Sequence, residues 1–207
     1  MTARRFAAAA MVAGLLVAAV AGLPASVPGY ERSCARGDGC VFGPAWTDDA
    51  DGVEWGHNGC DTRNDILRRD LTDVKVKPGT HGCLVLSGTL VDPYSGAQVA
   101  FVRGAESAQV QVDHVFPLSQ AWNRGAAGWP PGRRVSFAND PLNLLATTAA
   151  ENQAKSDKMP GQWSPSTASG RCLYVLRFQQ VAERYDLAVT WPERVWLVVQ
   201  GRGCTRS

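Results

Sequence analysis

The sequence has almost no excess of charge of either sign. Its 21 Lys and Arg stand against 19 Asp and Glu, and Arg4 and Arg5, in an opening stretch without acids, account for the whole difference. A protein held on nucleic acid by a broad basic field is therefore excluded, whereas a local basic patch is not. There is no Cys-x-x-Cys pair, and no His stands at zinc-ligand spacing from a Cys, which argues against a structural zinc site. Gly-x-Ser-x-Gly is absent, and with it the nucleophile elbow of the serine hydrolases. Internal repeats, low-complexity tracts beyond residue 30 and long linkers are also absent, so a solenoid or fibrous chain is ruled out. With 45% apolar and 19% charged residues the chain is not intrinsically disordered. Its 207 residues allow one domain, or two small ones.

Two features point to export. Residues 1–5 are basic, Phe6 to Leu23 is an 18-residue run of apolar residues and Gly, and small residues follow around Pro24 and Pro28. That layout predicts a signal peptide over residues 1–28, with residues 31–207 as one domain. An N-terminal membrane anchor is the alternative, weakened because eight of the 18 residues are Ala and no basic cluster follows. All six cysteines, Cys34, Cys40, Cys60, Cys83, Cys172 and Cys204, lie beyond this segment. An even count in an exported chain reads as disulfides. Sequential pairing, Cys34–Cys40, Cys60–Cys83 and Cys172–Cys204, is the expectation. The chain is expected to be secreted, or held at the cell surface, and monomeric, with no membrane contact once the signal is removed.

The local pattern is mixed. Residues 31–58, rich in Gly and Asp, read as an irregular lead-in. A helix begins at Asp61 and extends until Pro78-Gly79. Cys83–Val91 and Ala97–Val102 form a hairpin around Asp92-Pro-Tyr-Ser-Gly. Val110 and Val112 alternate with Gln111 and Asp113 in a strand that runs into His114 and stops at Pro117. Residues 123–141 read as loop and Leu142–Ala146 as a short apolar run. Helices are expected after Thr148, over Cys172–Tyr185, and from Thr190 towards Gln200, with Thr148 and Thr190 as capping boxes. The predicted class is α+β.

Two segments carry candidate chemistry. Adjacent Asp113 and His114 at a strand end point to opposite sides, so one can ligate a cation while the other faces water or substrate. Asn152 and Lys155 share a helix face. Carboxylate and amide oxygens are hard ligands, suited to Mg²⁺, Mn²⁺ or Ca²⁺. A neutral imidazole is a base near neutral pH, and a lysine beside a metal attracts phosphate. Adjacent Asp and His also occur by chance, and a polar helix face is commonly just solvated.

The set as a whole resembles the HNH, or ββα-metal, nuclease motif. Asp113-His114 matches its strand end, Asn143 its middle Asn, and Asn152 its helix ligand. The interval from Asn143 to Asn152 and the Asn-x-x-Lys-Ser-Asp run are similar to the HNH domain of RNA-guided CRISPR nucleases. Asn58-Gly-Cys-Asp-Thr-Arg-Asn64, Ser87-Gly-Thr-Leu, Asp92-Pro-Tyr-Ser-Gly and Asp-His-x-x-Pro together resemble exported bacterial HNH-endonuclease-like proteins, related to the nuclease part of GmrSD-type restriction enzymes. The resemblance implies a small β-hairpin/ββα-metal (HNH) core with surrounding helices, stapled by disulfides. It implies Asp113 and Asn152 as metal ligands, His114 as general base, Asn143 as the residue that aims His114, and Mg²⁺ or Mn²⁺ as cofactor. Asn152 stands where the family's last His is common, which favours those ions over zinc.

Lys155 and Lys158 are candidates for phosphate contact, or surface lysines. Arg63 is a candidate for the scissile phosphate, or a salt-bridge partner of Asp61 or Asp65. Arg133-Arg134 either touches phosphate or is solvated, and Trp122, Trp129 and Trp163 either stack on bases or fill the core. The implied activity is a secreted, metal-dependent endonuclease acting on DNA, or RNA, with low sequence specificity. The alternative is a catalytically inactive, disulfide-stapled extracellular binding module of the same fold.

Overall fold

The computed structural model describes residues 26–31 and 40–204. Residues 1–25, with most of the expected signal peptide, lie outside them, as does Cys34 of the expected Cys34–Cys40 pair.

After an irregular segment, Asp61 caps helix α1 (Thr62–Asp70) by accepting from the Asn64 N–H at 2.9 Å. The helix does not continue to Pro78. It stops at Asp70, and Leu71–Val76 forms strand β1. The reason is in the residues: Thr72, Val74 and Val76 alternate with charged Asp73 and Lys75, which suits an edge strand better than a helix. Strands β2 (Val85–Val91) and β3 (Gln98–Val102) form the expected hairpin and complete a three-stranded antiparallel sheet, order β1-β2-β3. At the turn, Asp92 Oδ1 accepts from the N–H groups of Tyr94 and Ser95, and Gly96 takes the positive φ that closes it.

Strand β4 (Val110–His114) pairs antiparallel with β5 (Leu144–Thr148), His114 facing Leu144 and Val110 facing Thr148. Between them lie helices α2 (Leu118–Asn123) and α3 (Pro131–Asn139). The stretch expected to be loop is therefore largely helical: Pro131 occupies the first turn of α3, where its missing N–H costs nothing. Thr148 caps helix α4 (Ala149–Lys155) directly after β5. A β-strand, a second antiparallel strand and a short helix thus form one ββα unit. Helix α5 (Ala168–Tyr185) and helix α6 (Trp191–Gln200) complete the fold, α6 opening on the Thr190/Glu193 capping box.

The β4–β5 ribbon lies between two cores. Val110, Val112, Leu144 and Ala146 pack with Ile66, Leu67, Leu90 and Phe101 beneath the three-stranded sheet. Leu145, on the opposite face, joins Phe116, Phe137, Tyr174 and Phe178 against α3 and α5. The outer edge of β5 is closed by side chains. Asp70 accepts from the Ala146 N–H at 2.7 Å, while Arg69 and Arg177 donate to the Leu144 carbonyl at 2.7 and 3.0 Å. Disulfides Cys60–Cys83 and Cys172–Cys204 tie α1 to the sheet and the end of the chain to α5. The architecture is α+β and disulfide-stapled.

Candidate active site

Strand alternation sends Asp113 and His114 to opposite faces of β4, and a groove of about 480 Å³ at the strand end reaches both. Gln111, Ser119, Asn152, Gln153 and Asp157 also line it. A larger depression of about 670 Å³ between α5 and α6 holds none of the candidate residues.

Asp113 is 4% exposed. Its Oδ1 accepts from Lys155 Nζ at 2.8 Å and its Oδ2 from the Tyr94 hydroxyl at 2.7 Å. Burial, and then the Asp113 charge, raise the Tyr94 phenol well above its usual pKa, so Tyr94 stays the donor. Lys155 is fully buried and also donates to the His114 carbonyl at 2.8 Å. The expected phosphate contact by Lys155 does not fit this burial, because its ammonium is spent inside the protein, between α4 and the end of β4.

His114 Nε2 lies 2.9 Å from the Ala138 carbonyl, near the C-terminal end of α3. A carbonyl only accepts, so Nε2 carries the proton, and in the neutral ring Nδ1 holds the lone pair. The Trp46 indole stacks on the imidazole, centroids 6.0 Å apart and planes 13° from parallel. Trp46 has a positive φ of 59° and its carbonyl accepts from the Thr62 N–H, which anchors it to the start of α1. Asn143 is fully buried. Its side chain accepts from the Phe116 N–H at 2.8 Å and donates to the Phe116 carbonyl at 3.2 Å, while its own carbonyl accepts from Val115. The chain immediately after His114 is thereby fixed at both its N–H and C=O groups.

Asn152 lines the groove on the Asp113 side. Its Nδ2 donates to Gln111 Oε1 at 2.7 Å, which leaves Oδ1 as the amide atom for a cation. Among the described residues no three His, Cys, Asp or Glu side chains gather to hold a metal. A carboxylate and an amide do face one groove, and a carboxylate has about four lone-pair positions, of which Lys155 and Tyr94 use two. That donor set fits a hard divalent ion completed by water and phosphate oxygens.

Other candidates fall elsewhere. Arg63 donates to the Val110 carbonyl at 3.4 Å and lies over the Phe101 ring, at the far end of β4 from His114. Burial and then the Arg103 charge lower its pKa, and Asp65 pairs with Arg68 instead. Lys158 is exposed and donates to the Ala154 carbonyl. Arg133 and Arg134 lie over Trp129 and Trp122. Trp122, Trp129 and Trp163 pack among core aromatic rings. Trp46 and Tyr94 were not legible as site residues: Trp46 lies in the irregular lead-in and Tyr94 in a turn, so no periodicity marks either.

A family model for the C-terminal domain of GmrSD restriction endonucleases matches residues 61–198, which contain the groove residues from Gln111 to Asp157. A protein of Arthroderma benhamiae described as an uncharacterized secreted protein is 42% identical over 137 residues, 65% of this chain and 63% of that protein. The chain therefore spans under two thirds of this relative, which is fungal rather than bacterial. The described disulfides and the secreted relative agree in making this a secreted protein. No helix among the described residues is long and apolar enough to cross a membrane. The chain belongs to the family of GmrSD restriction endonuclease C-terminal domains.

Proposed function

We propose that the protein is a metal-dependent HNH-type endonuclease that hydrolyses phosphodiester bonds of DNA, and by the same chemistry RNA, with low sequence specificity. One observation carries the reading: His114 is held through Nε2 on the Ala138 carbonyl, at the mouth of a groove that also presents Asp113 and Asn152. With Nε2 donating to that carbonyl, the neutral imidazole carries its lone pair on Nδ1, where it can act as a base.

His114 Nδ1 takes a proton from water as the water oxygen bonds to phosphorus, and the bond from phosphorus to the leaving sugar oxygen breaks. Asn143 keeps the main chain after His114 in place, and Lys155 ties the His114 carbonyl to α4. Asp113 and Asn152 would hold a Mg²⁺ or Mn²⁺ ion, which supplies Lewis-acid stabilisation of phosphate charge.

The test is plasmid nicking by the oxidised chain with Mg²⁺ or Mn²⁺. Cleavage is expected, abolished by EDTA and reduced at least ~100-fold in His114→Ala. A folded chain that cleaves neither DNA nor RNA with any divalent ion would instead be a binding module.

A further inference from the structure

We propose that the buried Lys155 ammonium is a built-in counter-cation of Asp113 that keeps affinity for a free divalent ion low, so that ion and phosphodiester bind together. The inference rests on the metal-dependent reading above and deepens it.

Asp113 brings one negative charge to the groove wall, and Lys155 Nζ cancels it from 2.8 Å, with 0% and 4% of the two side chains exposed. Water screens so buried a pair poorly. A divalent ion approaching Asp113 therefore meets a neutral ion pair rather than a free carboxylate. Asn152 adds an amide dipole but no charge. Asp157 is the other acid among the described groove residues, and its Oδ2 lies 3.4 Å from the Ser119 hydroxyl.

Lys155 cannot leave this position cheaply. Its ammonium also donates to the His114 carbonyl, and a buried ammonium without partners is costly. Nor can it reach substrate, since it is fully buried. Its charge is thus a fixed part of the site, felt by any cation. A nucleic-acid phosphate supplies the negative charge that Lys155 has cancelled, so the ion gains a full set of anionic partners only when phosphate is present. By linkage, ion and phosphate then raise each other's affinity by the same factor. A secreted protein gains from this arrangement, because the groove does not fill permanently with ambient divalent ions.

The experiment is Mn²⁺ titration of the oxidised chain at pH 8, with free Mn²⁺ read by electron paramagnetic resonance. Lys155→Met is expected to bind Mn²⁺ on the order of tenfold tighter than wild type, and Lys155→Arg about as weakly as wild type. Near-ultraviolet circular dichroism checks the fold, and Lys155→Gln replaces Lys155→Met should the latter not fold. A second measurement needs no change at Lys155: Mn²⁺ titration of His114→Ala with and without a short single-stranded DNA oligonucleotide. The oligonucleotide is expected to tighten Mn²⁺ binding by a comparable factor. Equal or weaker Mn²⁺ binding in the folded charge-removing variant, Lys155→Met or Lys155→Gln, or no effect of the oligonucleotide, overturns the inference. Plasmid cleavage with Mn²⁺ affinity unchanged by Lys155→Met would keep the nuclease and discard this role. Tighter Mn²⁺ binding in Lys155→Met without any cleavage by wild type would keep this role and discard the nuclease.

Discussion

The Tyr94 hydroxyl donates to Asp113 Oδ2 at 2.7 Å, joining the β2–β3 turn to the end of β4 across the buried centre of the molecule. Tyr94 is wholly buried, with its ring edge-on to Trp163 and Tyr174 at 5.0 and 6.3 Å. Its hydroxyl is therefore fixed by packing before it meets the carboxylate. Tyr94→Phe keeps the ring and removes only the donor. It should lower stability by about 1.5–3 kcal/mol, the range for a hydrogen bond to a buried charge. Urea unfolding checks this, and an unchanged midpoint would mean that water replaces the hydroxyl.

Asn143 acts on the segment that follows His114. Asn143→Ala removes both bonds to Phe116 and strands a buried N–H and a buried C=O. A destabilisation of about 2–4 kcal/mol is expected from two such groups. If the chain cleaves nucleic acid, the same change should reduce kcat by about 100-fold, the penalty of a misplacement near 1 Å. Nicking rates measured well below the unfolding temperature separate the two effects.

How far these roles were legible in the residues depends on how local the cause is. Asp61, Thr148 and Thr190 begin helices because a short oxygen-bearing side chain satisfies an N–H two or three residues on, and that signal is written in a few adjacent positions. The Asp113-His114 alternation follows from strand geometry alone. The end of α1 at Asp70 was only half legible: Thr72, Val74 and Val76 do alternate with Asp73 and Lys75, but helical spacing runs on through Leu71, and its pairing with Leu90 decides between the two. Helix α3 was hidden behind Pro130-Pro131, a pair that also marks loops. Lys155 on a polar-looking helix face reads as solvated, and only the partner 42 residues earlier reveals it as buried. Trp46 on His114 is likewise a contact between distant segments, which no periodicity encodes.

Arg124 and Glu193 form a second buried ion pair, away from the groove. Nη1 and Nη2 donate to the two carboxylate oxygens at 2.9 and 2.8 Å, and Glu193 Oε2 also accepts from the Thr190 N–H. The pair locks the start of α6 onto α2 and its following turn. Arg124→Ala leaves Glu193 buried with a single remaining donor and should cost about 3–5 kcal/mol. Arg124→Met with Glu193→Gln should cost less than the single change, because no unpaired charge remains. Thermal unfolding of the three variants measures the difference.

Asp92 makes stability depend on pH. Burial alone would raise its carboxyl, but the N–H groups of Thr148, Ser95 and Tyr94 and the Thr147 hydroxyl all donate to it and hold its pKa below the usual value. Its folded pKa is thus lower than its unfolded pKa of about 3.9. The proton is therefore bound more tightly by the unfolded chain. The stabilisation is present in full above the unfolded value and is lost as pH falls through the folded one. Asp65 and Glu151 act with the opposite sign, since burial raises both, so wild-type stability alone cannot isolate Asp92. The comparison with Asp92→Asn does. From about pH 5 upward wild type should be the more stable, and the gap should shrink as pH falls below the unfolded value of about 3.9 and through the lower folded one. Urea midpoints from pH 2 to pH 7 would show this, and a gap independent of pH would mean that shape rather than charge holds the turn to β5.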